Sequence, residues 1–396
     1  MFSGGAREVS NLAVKQELKA GWKPVKFGDV VKLSRSRCSD PEGEGIERYV
    51  GLEHIEPENL RIRSWGLVKE GTTFTYLFRP GQVLFGKRRA YQRKVAIADF
   101  EGVCSGDIYV FESADPKFLL PELLPFLCQT KRFFEYAVST SAGSLSPRTN
   151  WKSLVNFEFA LPPLKEQKRI AELLTVALKA VEASQNVFQA TQNILRAQQR
   201  YFFFDSREGK KIHLGQIATV QNGTTPSRKR TDYWVGTIPW LPTGKVNERS
   251  IFESEEFITK KALNECSLNI IPKGSTLIAM IGQGQTRGKA ARLEIDACIN
   301  QNFGAVIPGK KVDDRFIFYQ LESNYEKLRA WSHGTNQHAL NCKLIKTFPV
   351  LIPSLERQKV ISTQMRTTDF AIHKAEIHLE KTRTVFSQLR DDALSK

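Results

Sequence analysis

Two stretches of the chain place apolar or small residues at alternating steps of four and three. The first runs Ile170, Leu174, Ala177, Val181, Ser184, Phe188, Thr191, Leu195, Gln198, Phe202. The second runs Ile361, Met365, Thr368, Ile372, Ala375, Leu379, Thr382, Phe386, Leu389, Ala393, each position 191 residues after its counterpart. A 3.5-residue period held over several turns predicts a coiled-coil seam. Pro162 and Pro353 suit a helix's first turn, and no Gly or Pro interrupts either stretch. Each helix would be about 60 Å long at ~1.5 Å per residue. The seam residues Leu174, Val181, Phe188, Leu195, Met365, Ile372, Leu379 and Phe386 would pair the two helices. An ordinary amphipathic helix lying on a core would show a similar pattern. Thr and Gln at several seam positions would fix register or mark docking points.

Shorter apolar runs broken by Gly and Pro precede each helix and predict strands. They are Lys26–Leu33, Val83–Phe85, Lys94–Ile97 and Ile108–Phe111 in the first half, and His213–Val220, Thr276–Ile281 and Phe303–Ile307 in the second. The two halves are copies of one unit. Aligned without a gap, Ser141–Ile170 and Ser332–Ile361 share ten of thirty residues, among them Gly143/Gly334, Asn150/Asn341, Lys152/Lys343, Phe157/Phe348, Gln167/Gln358 and Lys168/Lys359. Both halves open alike, with Phe27-Gly28-Asp29-Val30 against Leu214-Gly215-Gln216-Ile217. Both place a Gly turn before a strand, at Gly81 and Gly274. The domain-sized period excludes a solenoid. The expected boundaries are a first head at 1–161, a central helix at 162–205, a second head at 206–352 and a C-terminal helix at 353–396.

Charge then narrows the partner. Lys and Arg number 58 against 42 Asp and Glu, a net charge of +16. A chain this basic is expected to meet a polyanion. An anionic membrane is disfavoured, because no apolar run is long enough to span a bilayer and no Lys-rich amphipathic helix or lipidation signal is present. The six cysteines are scattered singly, which argues against zinc and disulfide frameworks and for reduced thiols in a cytoplasmic protein.

The cations cluster in matched places. Arg79–Ala98 carries Lys87, Arg88, Arg89 and Arg93 with Tyr91 and Gln92 among them, and no carboxylate. Lys273–Arg292 carries Gln283, Gln285, Thr286, Arg287 and Lys289 in a Gly-rich loop, also without a carboxylate. Thr225, Ser227, Arg228, Lys229, Arg230 and Tyr233 form a further basic and aromatic loop, and Arg35 and Arg37 flank the first strand region. Lys and Arg neutralise phosphates, while Gln and Arg hydrogen-bond base edges. A solvated surface would carry charge runs of this kind too.

Catalytic motifs are missing. Gly282–Lys289 lacks the first Gly and the Ser/Thr of a phosphate-binding loop. The only Pro-Pro pair, Pro162-Pro163, lacks the Asn/Asp and aromatic flanks expected of an amino-methyltransferase. No carboxylate cluster suits a nuclease metal. The histidines (54, 213, 333, 338, 373, 378) lack metal spacing. No catalytic residue and no metal site are assigned.

The arrangement resembles the specificity subunit of type I restriction–modification enzymes. Pro80–Val110 (PGQVLFGKRRAYQRKVAIADFEGVCSGDIYV) is similar to a target recognition domain of that family. So are the helix starts Leu161–Lys168 and Ile352–Lys359, and the stretch Gly223–Lys245. The resemblance implies an α/β (α+β) chain. Two globular target recognition domains would be separated by two long antiparallel helices forming a coiled coil, with a pseudo-twofold internal repeat. It further implies that each domain reads one half of a split double-stranded DNA target. The helices would set the unread spacer and dock two modification (methyltransferase) subunits. Restriction subunits would join the larger complex. S-adenosylmethionine, ATP and Mg would belong to those partners, and this chain would bind no cofactor and catalyse nothing. The halves differ at Cys104-Ser105-Gly106-Asp107 against Cys298-Ile299-Asn300-Gln301-Asn302, so base contacts do not transfer position by position. A coiled-coil scaffold with basic RNA- or partner-binding surfaces is the alternative; a divergent nuclease or methyltransferase with cryptic motifs is a third reading.

Overall fold

In each half an extended strand folds back on the strand that leads into a long helix. Lys23–Lys26 pairs antiparallel with Glu158–Leu161, and Lys210–His213 pairs antiparallel with Pro349–Ile352. The computed structural model describes residues 19–282, 284–331 and 339–394. Gln283, His333, Gly334, His338 and the segment 1–18 therefore lie outside the described residues. The chain divides into two units, Met1–Gln185 with His378–Lys396, and Asn186–Ile377.

The first unit holds an antiparallel sheet ordered Val31–Leu33, Ile108–Ser113, Val83–Gly86, Val95–Ile97. A second four-stranded sheet is ordered Gly66–Leu67, Arg48–Val50, Gly102–Cys104, Tyr76–Phe78. The second unit repeats this plan. Ala218–Asn222, Phe303–Pro308, Thr276–Ala279 and Ala290–Leu293 form the matching sheet, with Ser250–Ile251 added at its edge. A three-stranded sheet stands in for the second one. The Gly turns entering Val83–Gly86 and Thr276–Ala279 have φ of +87° at Gly81 and +88° at Gly274, a region that side chains with a Cβ rarely adopt.

The expected strands Lys26–Leu33 and His213–Val220 are each broken by one helical turn, Phe27–Val30 and Leu214–Gln216. A side chain reaching back to the backbone is the cause. The Lys26 amide donates to Asp29 at 3.2 Å, and the His213 amide donates to Gln216 at 2.9 Å. Such local bonds offer the chain an alternative to a ladder. The turn buries Phe27 and Leu214 in the two cores. Farther along, Asn150 and Asn341 cap the short helices Trp151–Leu154 and Cys342–Lys346 by accepting from the Ser153 and Leu344 amides.

The long helices run Leu164–Arg200 and Leu355–Leu394, the first continuing through a π turn at Tyr201–Asp205. Every seam position is buried or half-buried. In the first unit Leu174 and Leu178, near the start of the central helix, share a core with Phe386 and Leu394, near the end of the C-terminal helix. In the second, Leu195 and Phe203 share a core with Ile361 and Met365. Start meets end in each unit, so the helices are antiparallel. The seam is not self-sufficient: Phe126 and Phe133 of the first head join the first cluster, and Phe316 and Tyr319 of the second head join the second.

Candidate nucleic-acid interface

In the first unit, the strand Val83–Gly86 delivers the basic loop 87–94. The loop is held from three sides by backbone bonds: the Lys87 amide donates to Asp107 O at 2.9 Å, the Thr149 amide to Lys87 O at 3.0 Å, and the Arg89 amide to Pro147 O at 2.7 Å. Arg89 and Arg93 adopt left-handed backbone with φ of +54°. These contacts fix which way each cation leaves the loop.

Asp107 organises the cluster. Its carboxylate accepts from Arg88 at 3.3 Å and from Arg148 at 3.0 Å. Burial alone would raise this carboxyl; the two guanidiniums outweigh it and hold the group below the ordinary carboxylate range. Ser146 accepts from both Arg88 and Arg89 at 3.2 Å. The charge pattern of the sequence points to neither Asp107 nor Arg148, because Asp107 lies outside the basic run and Arg148 sits alone.

Arg35, Arg37 and Lys87 line one cavity of about 270 Å³. Tyr76 and Tyr109 are its aromatic walls. The Arg37 guanidinium stacks 4.4 Å from the Tyr76 ring centroid and donates to its hydroxyl at 2.9 Å. Lys87 Nζ lies 4.7 Å from the Tyr109 ring. Burial pulls the Lys87 ammonium below its usual range despite the nearby Asp107. A cavity with three cations and two aromatic walls suits a phosphate beside a stacked ring.

Other predicted contacts take different places. Tyr91 is exposed, and the Gln92 amide closes the turn onto Arg89 O. Arg93 is absorbed into the scaffold, 3.1 Å from Glu58 and 5.2 Å from the Phe134 ring.

In the second unit, Arg228 stacks 3.7 Å from the Trp234 ring and pairs with Glu256. Arg230 forms a two-pronged bond to Asp232 at 2.8 Å on each prong. Asp232 also holds Lys261 at 3.1 Å. The Arg230 and Lys261 bonds keep the Asp232 carboxyl far below the carboxylate range. Tyr233 is buried, and its hydroxyl donates to Glu265. Its place is therefore in the core under the loop. Ser227 and Lys229 are exposed beside these residues.

Thr225 donates to Gln301 at 2.6 Å, and Asn300 exchanges hydrogen bonds with Thr243. The tail of Cys298–Ile299 thus positions a neutral polar loop where the first half positions an arginine cluster. Lys289 donates to Asn247 at 2.9 Å, and Gln285 O accepts from the Tyr325 hydroxyl at 2.8 Å. Thr286 and Arg287 are half-buried in the same loop.

Among the described residues, no group of three or more His, Cys, Asp or Glu side chains is placed to hold a metal, and no helix is long and apolar enough to cross a membrane. The six cysteines are unpaired; burial pushes the Cys104 thiol up to about 12.

Comparison with known proteins places the architecture. A model of the type I restriction modification DNA specificity domain matches twice, over residues 19–187 and 207–381. The MjaVIII specificity subunit of a type I restriction enzyme from Methanocaldococcus jannaschii is 21% identical over 95% of this chain and 92% of its own length. The S subunit of a type I restriction–modification system from M. genitalium superposes with a TM-score of 0.61 at 14% identity, covering 96% of this chain and 98% of that one. A chain from a structure of type I R-M complex assembly gives a TM-score of 0.59 at 18% identity, with the same two coverages. The two family matches fall on the two structural copies, and this chain belongs to the type I restriction–modification DNA specificity family, whose members are non-catalytic DNA-recognition subunits.

Proposed function

We propose that each half of this specificity subunit reads one half of a split double-stranded DNA target, and that the paired helices set the gap between the half-sites. The observation that carries this reading is the repeated scaffold with unlike loops. The ribbons, Gly turns and Asn-capped helices recur in both units, whereas the loop after Cys104 carries an arginine–carboxylate cluster and the loop after Cys298 a Thr–Gln–Asn set. A common frame presenting different donors and acceptors is what two different half-sites require.

The partners are two modification subunits docked on the helices, with restriction subunits completing the complex in the cytoplasm. S-adenosylmethionine, ATP and Mg belong to those subunits, and this chain binds none of them. Arg35, Arg37, Lys87, Arg88 and Arg89 contact the first half-site. Thr225, Arg228, Lys229, Gln283, Gln285, Arg287 and Lys289 contact the second.

The test is a methylation map of cells or plasmids carrying this chain with its modification subunit. A split motif with a fixed gap is expected, and methylation only when both proteins are present. Methylation by the purified chain alone would overturn the reading. Equal affinity for RNA and for random duplex would favour a scaffold with general polyanion-binding surfaces.

A further inference from the structure

One strand edge in each head carries an arginine that crosses to a carboxylate on the long helix following that head. In the first unit Arg61 Nε donates to Glu182 at 2.6 Å. In the second, Arg249 Nη2 donates to Asp369 at 3.1 Å and to Glu322 at 2.9 Å, and the Tyr319 hydroxyl donates to Asp369 at 2.7 Å. The two arginines occupy adjacent positions of the repeat. Leu60 O accepts from the Ile97 amide, and Arg249 O accepts from the Arg292 amide, at 2.8 Å in each case. Arg61 then bridges in parallel to Ile97 as Ser250 does to Arg292. Arg249 stands one place earlier and has left-handed backbone, φ +60°. The acids are also near-equivalent. At the repeat offset Glu182 corresponds to position 373, four residues and so about one helical turn beyond Asp369.

Each head is separately tied to the first turn of its helix, through Gln167 and Gln358. A polar contact farther along the helix constrains the head's angle more tightly than one at the first turn alone. In the first unit the apolar cluster of Phe126, Leu174, Leu178 and Phe386 also joins head to helix, and the Arg61–Glu182 pair adds a directional polar tie farther along. A cleft of about 130 Å³, lined by Pro57, Arg63, Val181, Glu182 and Phe386, lies where the head meets the helices. The Arg61–Glu182 pair, whose acid lines this cleft, has both side chains less than half exposed, at 41% and 22%.

We propose that Arg61–Glu182 and Arg249–Asp369 are a repeated second polar attachment, beyond the glutamine ties, that sets the angle of each head on its helix, and so the gap length that the protein accepts between half-sites. Arg61 and Arg249 are positioning residues: they act through the helix and touch no base. The inference rests on the proposed bipartite reading.

The experiment maps methylated sites for the complex with its modification subunit, comparing wild type with Arg61→Ala, Glu182→Gln and Asp369→Asn. The expected result is unchanged base preference in both half-sites. Sites with a gap one base pair too long or too short should gain methylation about tenfold relative to correct sites, the factor matching loss of a charged hydrogen bond. Combining Arg61→Glu with Glu182→Arg should restore the gap. A contact that merely stabilises the fold would lower the melting temperature and leave the gap distribution alone; that outcome, in Glu182→Gln and Asp369→Asn as in Arg61→Ala, overturns the proposal. A wild-type map without any split motif would instead sink the bipartite reading.

Discussion

Gln167 and Gln358, 191 residues apart, make the same three hydrogen bonds. The Gln167 side chain accepts from the Leu120 amide at 2.9 Å and donates to Phe118 O at 2.7 Å and Pro162 O at 2.9 Å. The Gln358 side chain accepts from the Asp313 amide at 2.9 Å and donates to Lys311 O at 3.5 Å and Pro353 O at 2.9 Å. Both glutamines are 1% exposed. Each satisfies a loop's amide and carbonyl two residues apart, and so binds the head to its helix where water is excluded.

Replacing either glutamine with leucine leaves those loop groups buried without a partner. Each orphaned group costs about 1–3 kcal/mol. Gln167→Leu and Gln358→Leu should therefore each lower the melting temperature by several degrees, given about 2–4 °C per kcal/mol for units of this size. The geometry is shared, so the two decreases should be similar. Calorimetry checks this, and a decrease confined to one of the two variants would refute the equivalence.

The Asp107 carboxyl is depressed in the folded state by Arg148 and Arg88. A group whose folded pKa lies below its unfolded value stabilises the fold above the unfolded pKa, about 3.9 for Asp, and loses that stabilisation as pH falls through the folded pKa. Wild type should therefore be more stable than Asp107→Asn at neutral pH. The difference should shrink below about pH 4. Unfolding curves of both proteins across that range test it, and a difference constant with pH would show that charge is not what Asp107 contributes.

A helix break tests the seam. Leu195→Pro removes a backbone donor and introduces a ring clash, worth about 3 kcal/mol or more in a helix interior. Leu195 packs beside Phe203, Ile361 and Met365, so the break should disrupt that core and prevent stable assembly with the modification subunit. Size-exclusion chromatography of the co-expressed proteins reads the result. A complex of normal size and affinity would remove the helices from any docking role.

The seam and the repeat are legible in sequence because both are periodic. Apolar residues recurring at steps of four and three identify the buried face whatever covers it, and each ladder residue from Ile170 to Ala393 lies on a covered face. Gln167 and Gln358 are visible as identities, but their bonds are not, since the loops they capture are distant in the chain. The basic loops are legible as charge and less so as geometry. Arg93 and Tyr233 read as surface contacts in sequence and prove to belong to the scaffold, held by Glu58 with Phe134 and by Glu265. Asp107 and Glu256, which help decide how Arg88 and Arg228 point, stand outside the basic runs themselves. Pairing across 19 or 28 residues leaves no periodic trace.

The two kinds of cation in the first head should separate in a binding experiment. Arg88 and Arg89 are oriented by Ser146, and Arg88 also by Asp107. A preset guanidinium of this kind suits a base edge. Replacing both with alanine should reduce discrimination at the first half-site by about 1–3 kcal/mol for each base-edge pairing removed, and leave preference at the second half-site intact. Arg35 is exposed and lines the cavity with Arg37 and Lys87, an arrangement suited to a phosphate. Arg35→Ala should weaken binding evenly across sequences and reduce the slope of log affinity against log salt by about one. Titrations of half-site variants at several salt concentrations distinguish the two. If the double alanine variant changes preference at both half-sites equally, the heads do not read independently. If Arg35→Ala alters base preference while leaving the salt slope unchanged, the cavity reads bases and not the backbone.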